Sequence, residues 1–171
     1  MADATSRDLL QPALLDRLTD DEPQKQVESR DQRILSMRAF KAGVMRDLGW
    51  LLNTGNFDGD ETLDEYPNVA DSVINYGIRD LCGLATSGIS DTEIERYVRE
   101  AIRRFEPRIL PKSLAVRVQV NKDAHSHNAV VFEISGDLWA TPMPERMYLQ
   151  TKVDLESGNF EFDSNLSGGS R

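Results

Sequence analysis

The sequence predicts an α+β fold, with N-terminal helices packed on one face of a C-terminal antiparallel β-meander of three to four strands. Two observations carry this. Apolar residues recur with helical spacing in two long segments of the first two thirds of the chain, and after Pro111 the pattern changes to strict alternation. The alternating runs are joined by short polar turns, and sequential strands so joined form a meander, which places helices and strands in separate layers.

Residues 1–33 read as an N-terminal arm, 34–163 as the α+β domain and 164–171 as a flexible tail. Within the arm, Leu9, Leu10, Leu14, Leu15 and Leu18 cluster around "LLDRL", and the last three share helical spacing. A short amphipathic helix followed by the polar linker "DDEPQKQVESRDQR" docks on its own domain or on a partner; a disordered tail is the competing reading.

The first long helix lies in "SMRAFKAGVMRDLGWLLNT". Met37, Phe40, Val44, Leu48, Leu51 and Leu52 form one face, and Asn53, Thr54 and Gly55 end it. In the following loop, Asp58, Asp60, Asp64 and Glu65 suggest calcium. The EF-hand order fails, because its sixth and twelfth positions are Leu63 and Val69, and a solvated acidic loop fits better. "PNVADSVINYGI" opens with proline and closes with glycine, as a short helix does, with Val69, Val73, Ile74 and Ile78 as its expected buried side. Leu81, Cys82 and Leu84 are expected to turn inward; the lone Cys82 reads as a small core residue.

The second long helix begins at Ser90, an N-cap with Glu93 three residues on. Ile94, Tyr97, Val98, Ala101, Ile102 and Phe105 make its apolar stripe, and Pro107 stops it. Three alternating runs follow. They place Leu114, Val116, Val118 and Val120 on one face, then Val130, Phe132 and Ile134, then Met147, Leu149, Thr151, Val153 and Leu155. "NFEF" is a short last strand.

Composition bounds the function. The chain has 171 residues, 39% hydrophobic and 29% charged, with a net charge of −9. An acidic chain without clustered Lys and Arg is poorly suited to nucleic acid or anionic membrane. No apolar run suits a signal peptide or a membrane span, so the expected location is cytoplasmic. No phosphate loop or nucleophile elbow is present, so neither an enzyme nor a cofactor is indicated. Asp123, His125 and His127 could ligate a metal, but a polar hairpin turn explains the same residues without one, and no metal is expected.

One segment stands apart. "RFEPRILP" sets Glu106 at a helix C-terminus, where the backbone dipole already presents negative charge. The residue before a proline is biased extended, so Glu106 and Arg108 should project together beside the stiff ring of Pro107. Such a pair is either a surface ion pair of little energetic value or a clamp that reads a partner. Glu106 could also be one carboxylate of a glycosidase pair, although nothing nominates a second.

"LLDRL", "RDLGWLLNT", "YPNVADSVINYGIRDLCGLA" and "RFEPRI", in this order and spacing, resemble the TssE family. These are small baseplate subunits of the bacterial type VI secretion system, similar to the baseplate wedge proteins of contractile phage tails and once labelled lysozyme-like. The chain departs from the family at Gly49, where a helix former is expected, and in its acidic loop after Asn53. The resemblance implies a non-enzymatic wedge subunit that contacts TssF, TssG and TssK. It also implies a first docking point for the contractile sheath of TssB and TssC. It nominates Glu106, Pro107 and Arg108 as partner-binding residues at the wedge's core helical bundle. The alternatives are a peptidoglycan hydrolase, or an adaptor in another contractile-tail-like assembly.

Overall fold

The computed structural model describes residues 13–19, 23–24, 36–57, 63–81, 90–119, 129–140, 143–154 and 157–162. Leu9, Leu10, Asp58, Asp60, Cys82, Leu84, Val120, Asp123, His125, His127 and Leu155 lie outside them. The described elements are α1 (Leu14–Leu18), α2 (Met37–Leu52), a 3-10 turn (Leu63–Glu65), α3 (Pro67–Ala70), a second 3-10 turn (Val73–Asn75) and α4 (Asp91–Phe105). Four strands follow: β1 (Ala115–Gln119), β2 (Ala129–Leu138), β3 (Glu145–Asp154) and β4 (Phe160–Phe162). Among the described residues no helix is long and apolar enough to cross a membrane, and no group of three or more His, Cys, Asp or Glu could hold a metal ion.

The strands form one antiparallel sheet in the order β1-β2-β3-β4, the meander that alternation predicts. Register places Phe132 between Val118 and Thr151, and Ile134 between Val116 and Leu149. Because strand side chains alternate, these residues share a face with Met147, Val153 and Phe160, and α2 and α4 cover it. Val44, Leu48, Val98 and Ile102 are fully buried in the shared core. Burying side chains of this size stabilises by about 1.5–3 kcal/mol each before entropy is counted.

Local chemistry fixes the ends of the helices. The Ser36 hydroxyl accepts from the Ala39 N–H at 3.1 Å and starts α2. The Glu93 carboxylate accepts from the Ser90 N–H at 3.2 Å at the start of α4. Asn53 does more than end α2. Its carboxamide donates to Gly49 O, and it also accepts from Phe160 N–H (2.8 Å) and donates to Phe160 O (3.2 Å). One side chain thus caps a helix and pairs with β4 as a neighbouring strand would. Gly49, one turn earlier, faces the Phe162 ring, with 3.6 Å to a built Cβ.

Both sheet edges are closed by helix side chains. Glu95 accepts from the Val118 N–H of β1 at 2.8 Å, and Arg99 donates to Val116 O at 3.4 Å. Such cover is a common protection for an edge strand.

The segment 67–77 differs from the expected helix. α3 stops at Ala70, and Ser72 starts a separate 3-10 turn by accepting from Ile74 N–H. The three-residue period of that turn rotates the side chains. Val73 and Ile74 are exposed (81% and 68%), and Asn75 is the residue turned inward. Its carboxamide accepts from Phe57 N–H and donates to Ala70 O, which ties the loop after α2 to the end of α3. Ile78 and Leu81 are buried as expected.

Gly77 makes this crossing feasible. Its φ is +121°, and a Cβ there would lie 2.2 Å from Thr54 O. Ile78 N–H donates to Thr54 O and Asn56 N–H to Ile78 O, both at 2.9 Å, so the backbone cannot withdraw without breaking them. Gly77→Ala is therefore expected to destabilise the domain by about 3 kcal/mol, from strain and clash together. Chemical denaturation checks this, and a loss below about 1 kcal/mol would show that the crossing relaxes.

Candidate functional site

The Glu-Pro-Arg segment sits where the chain leaves α4 for the sheet. Glu106 is the C-cap, and its N–H still donates to Ile102 O at 2.9 Å. Pro107 prevents a further helical turn. Ile109 N–H then donates back to Glu106 O at 3.2 Å, which closes a β-turn with proline in its favoured second position. Sequence reasoning expected extended geometry here. The two side chains do project together, but a turn brings them there.

The far side of the turn is bonded to the end of β2. Trp139 N–H donates to Arg108 O at 2.7 Å, and Leu110 N–H donates to Asp137 O at 2.8 Å. Ile109 packs into the core between them, 2% exposed. Gly136 leaves room for it, since a Cβ there would meet Ile109 Cγ2 at 2.7 Å.

Arg108 presents a planar fork to Glu106. Its Nε donates to Oε1 at 2.7 Å and one Nη to Oε2 at 2.5 Å, while its backbone N–H also reaches Oε1 at 3.2 Å. The same Nη lies 2.6 Å from Asp47 Oδ2 on α2. Glu106 is 3% exposed and the Arg108 side chain 20%, so this is no solvent-screened surface pair. Burial opposes the charge on Arg108. The hydrogen bonds and charges of Glu106 and then Asp47 more than reverse this, and its pKa is raised. Pro107 remains exposed.

The network continues. Asp47 Oδ1 accepts from Arg46 Nε at 2.9 Å, and Arg46 reaches Asp16 of α1 at 2.5 Å. The Arg46 guanidinium also lies over the Trp50 ring, 5.2 Å from its centroid. Through these groups the "LLDRL", "RDLGW" and "FEPRI" segments meet in space. α1 is present as expected, but it attaches through Asp16. Leu14 and Leu18 are 71% and 74% exposed. The hydrogen bond from Arg46 holds the Asp16 carboxyl below its ordinary range, against a smaller effect of burial. Tyr76 is raised by burial, then by the charges of Asp47 and Glu106, and its ring packs edge-on to Phe105.

Asp47 and Arg46 were not singled out by sequence reasoning. Asp47 lies 61 residues from Arg108, and nothing in its local pattern marks that partner. The one available signal was that an adjacent Arg-Asp pair occupies a helix whose apolar face is otherwise complete.

Two outcomes follow from this geometry. Arg108→Ala leaves Glu106 buried without its cation and is expected to cost about 3–5 kcal/mol, whereas Glu106→Gln, which keeps shape and removes the buried charge, should cost clearly less. Denaturation midpoints with equal slopes measure both, and equal losses would show that the unpaired buried charge is not what makes the arginine necessary. Asp16 binds its proton less readily when α1 is docked than at its ordinary value of 3.8. Its contribution is thus present above that value and lost as pH falls through the lowered one. The protection of the Arg17 and Thr19 amides, measured against their intrinsic rates at each pH, should therefore fall below about pH 4, and be low at every pH in Asp16→Asn. Unchanged protection in that variant would exclude an ionic tether.

Comparison with known proteins gives the following. The family model described as baseplate wedge protein gp25 matches residues 38–143, more than half of the chain. The chain is also similar to a crystal structure from Geobacter sulfurreducens, provisionally described as a tail lysozyme. That likeness has 18% identity and a TM-score of 0.41, and covers 68% of this chain and 92% of that one. No curated protein matches. The matched span takes in α2 from its second residue, α4, the Glu-Pro-Arg turn and the whole of β1 and β2, and on it the chain belongs to the gp25 family of baseplate wedge proteins.

Proposed function

We propose that this chain is a non-enzymatic, TssE-like subunit of a type VI secretion baseplate wedge, acting in the cytoplasm. It links the wedge core to the contractile sheath and helps start sheath assembly. Membership of the gp25 family supports a role in a contractile-tail baseplate. The observation that carries the finer reading is the Glu-Pro-Arg turn, which is braced from beneath and open at its tip.

The three residues take separate parts in this proposal. Glu106, buried, positions Arg108 and does not touch the partner. Pro107 supplies an exposed rigid surface. Arg108 uses Nε and one Nη internally, while its other Nη makes none of these contacts and lies on the side of Gly43 of α2 and Asp16 of α1; in this proposal TssF and TssG reach it there. The engagement of both Glu106 oxygens by Arg108 also supports a structural role over a hydrolytic one, because a general acid needs a carboxyl open to substrate. TssK joins the same wedge in this reading.

Sheath strands from TssB or TssC would extend the sheet by edge addition. At β1 an incoming strand has to displace Glu95 and Arg99, both carried on the packed helix α4. At β4 the described residue it has to displace is Asn53, through its carboxamide. The β4 edge is thus the proposed entry. The arm (1–33) adds α1 to the wedge-facing side.

The test must separate binding from folding. Pro107→Ala and Arg108→Lys both keep a cation near Glu106. Pro107→Ala should melt within a few degrees of the parent. Arg108→Lys keeps the charge without the fork and should lose stability, though less than Arg108→Ala, so it is compared at a temperature where it is folded. Arg108→Lys should lose most co-purification with TssF and TssG, and Pro107→Ala part of it. Full retention by both folded variants would remove the clamp from the proposal. Release of fragments from cell-wall material, abolished by Glu106→Gln, would replace it with a hydrolase.

A further inference from the structure

On another part of the molecule, a polar cavity of about 170 Å³ opens between α4 and the segment around Gly77. Arg79, Arg96, Arg104, Tyr97, Glu100 and Asn56 contribute to its wall. It shares no residue with the Glu-Pro-Arg network. Three arginines against Glu100 and the Asp71 carboxylate paired with Arg104 leave a local surplus of one positive charge, in a chain whose net charge is −9.

The arginines differ in their engagement. Arg104 is held by Asp71 at 2.9 Å and by Ala70 O at 2.8 Å, so it is a fixed part of the wall. Arg79 and Arg96 both lie against the Tyr97 ring, 5.8 and 4.9 Å from its centroid. Among the described residues neither has a carboxylate partner. A guanidinium held against a ring by its face keeps the N–H donors along its edge available. Two like charges on one ring also repel each other, and an anion bound between them relieves that repulsion.

Asn56 adds an acceptor. Its N–H is spent on Ile78 O, while its carboxamide oxygen is buried without a hydrogen-bond partner among the described residues. A buried acceptor without a donor is costly, so a ligand that brings an N–H here has an advantage. The wall therefore asks for an anion with a donor beside it. A carboxylate side chain with its own backbone N–H has both. A phosphate dianion would set its oxygens against Asn56 and Glu100.

We propose that this cavity binds an aspartate or glutamate side chain from an acidic segment of a protein partner. Arg79 and Arg96 hold the carboxylate, and Asn56 accepts from the adjoining backbone N–H. The contact is independent of the Glu-Pro-Arg clamp and stands or fails separately from it.

The test is a titration of the full-length chain, labelled with nitrogen-15, by the peptide acetyl-Gly-Asp-Glu-Gly-amide. Its uncharged counterpart acetyl-Gly-Asn-Gln-Gly-amide and inorganic phosphate are the controls, all at one ionic strength. The expected result is a saturable shift of the Arg79 and Arg96 Nε–H signals and of the Asn56 carboxamide with the acidic peptide alone. Arg96→Gln, an exposed position, should leave the spectrum folded and weaken that response about tenfold, the loss of one charge-assisted contact. Equal responses to both peptides, or shifts spread over other arginines, overturn the proposal. Tighter saturation by phosphate overturns it in favour of a small-anion site.

Discussion

A buried carboxylate that folds only with its own arginine governs this structure. Glu106 is nearly inaccessible, and a lone carboxylate in that position would cost several kcal/mol. Arg108 meets that cost only in one geometry, with the fork aligned and the intervening peptides turned about Pro107. The turn in turn fixes Ile109 in the core and Arg108 O against β2. The angle at which the helical layer enters the sheet is therefore set by an ion pair between residues two apart. Asp47 extends the constraint to α2, so that the two long helices and the sheet share one joint.

Polar side chains make the other junctions as well. Asn53 joins α2 to β4, Asn75 joins the loop after α2 to α3, and Glu95 joins α4 to β1. Each gives hydrogen bonds to backbone groups that would otherwise lack a partner at an element's end or a sheet's edge. The apolar core supplies the bulk of the favourable free energy, but it is not directional. The polar junctions choose among the arrangements that would bury a similar area, and they also keep the sheet from pairing with stray strands.

Residues with a strong local rhythm were legible in the sequence. The faces of α2 and α4, the alternation of β2 and β3 and the Ser90–Glu93 cap can be read because period and capping chemistry act over a few residues. Val73 and Ile74 were misread because a helix and a 3-10 turn differ by a fraction of a residue per turn, and the apolar residues suited both. The candidate site was half legible. Proline announced the end of α4 and the shared projection of Glu106 and Arg108, but the turn that produces it, the burial of Glu106 and the third partner Asp47 depend on how the chain packs against α2 and β2. Contacts 61 residues apart leave no local trace.

Stability and recognition cannot be fully divided at such a site. If Glu106 faced a partner, the charge pair could be read directly and lost without harm to the fold. Here the acid lies underneath, and in the proposed complex a partner would meet the exposed proline ring and the edge of the arginine. That arrangement has a physical advantage. An exposed arginine loses much side-chain entropy when it is ordered by a partner, and one already held by two carboxylates loses little. The ordering cost is met during folding. The same bracing runs through Asp47 and Arg46 to α1, so the position of the N-terminal helix and the orientation of Arg108 rest on one set of charges. An interaction that moved α1 would reach Arg108 through two shared partners, without any change in the apolar core.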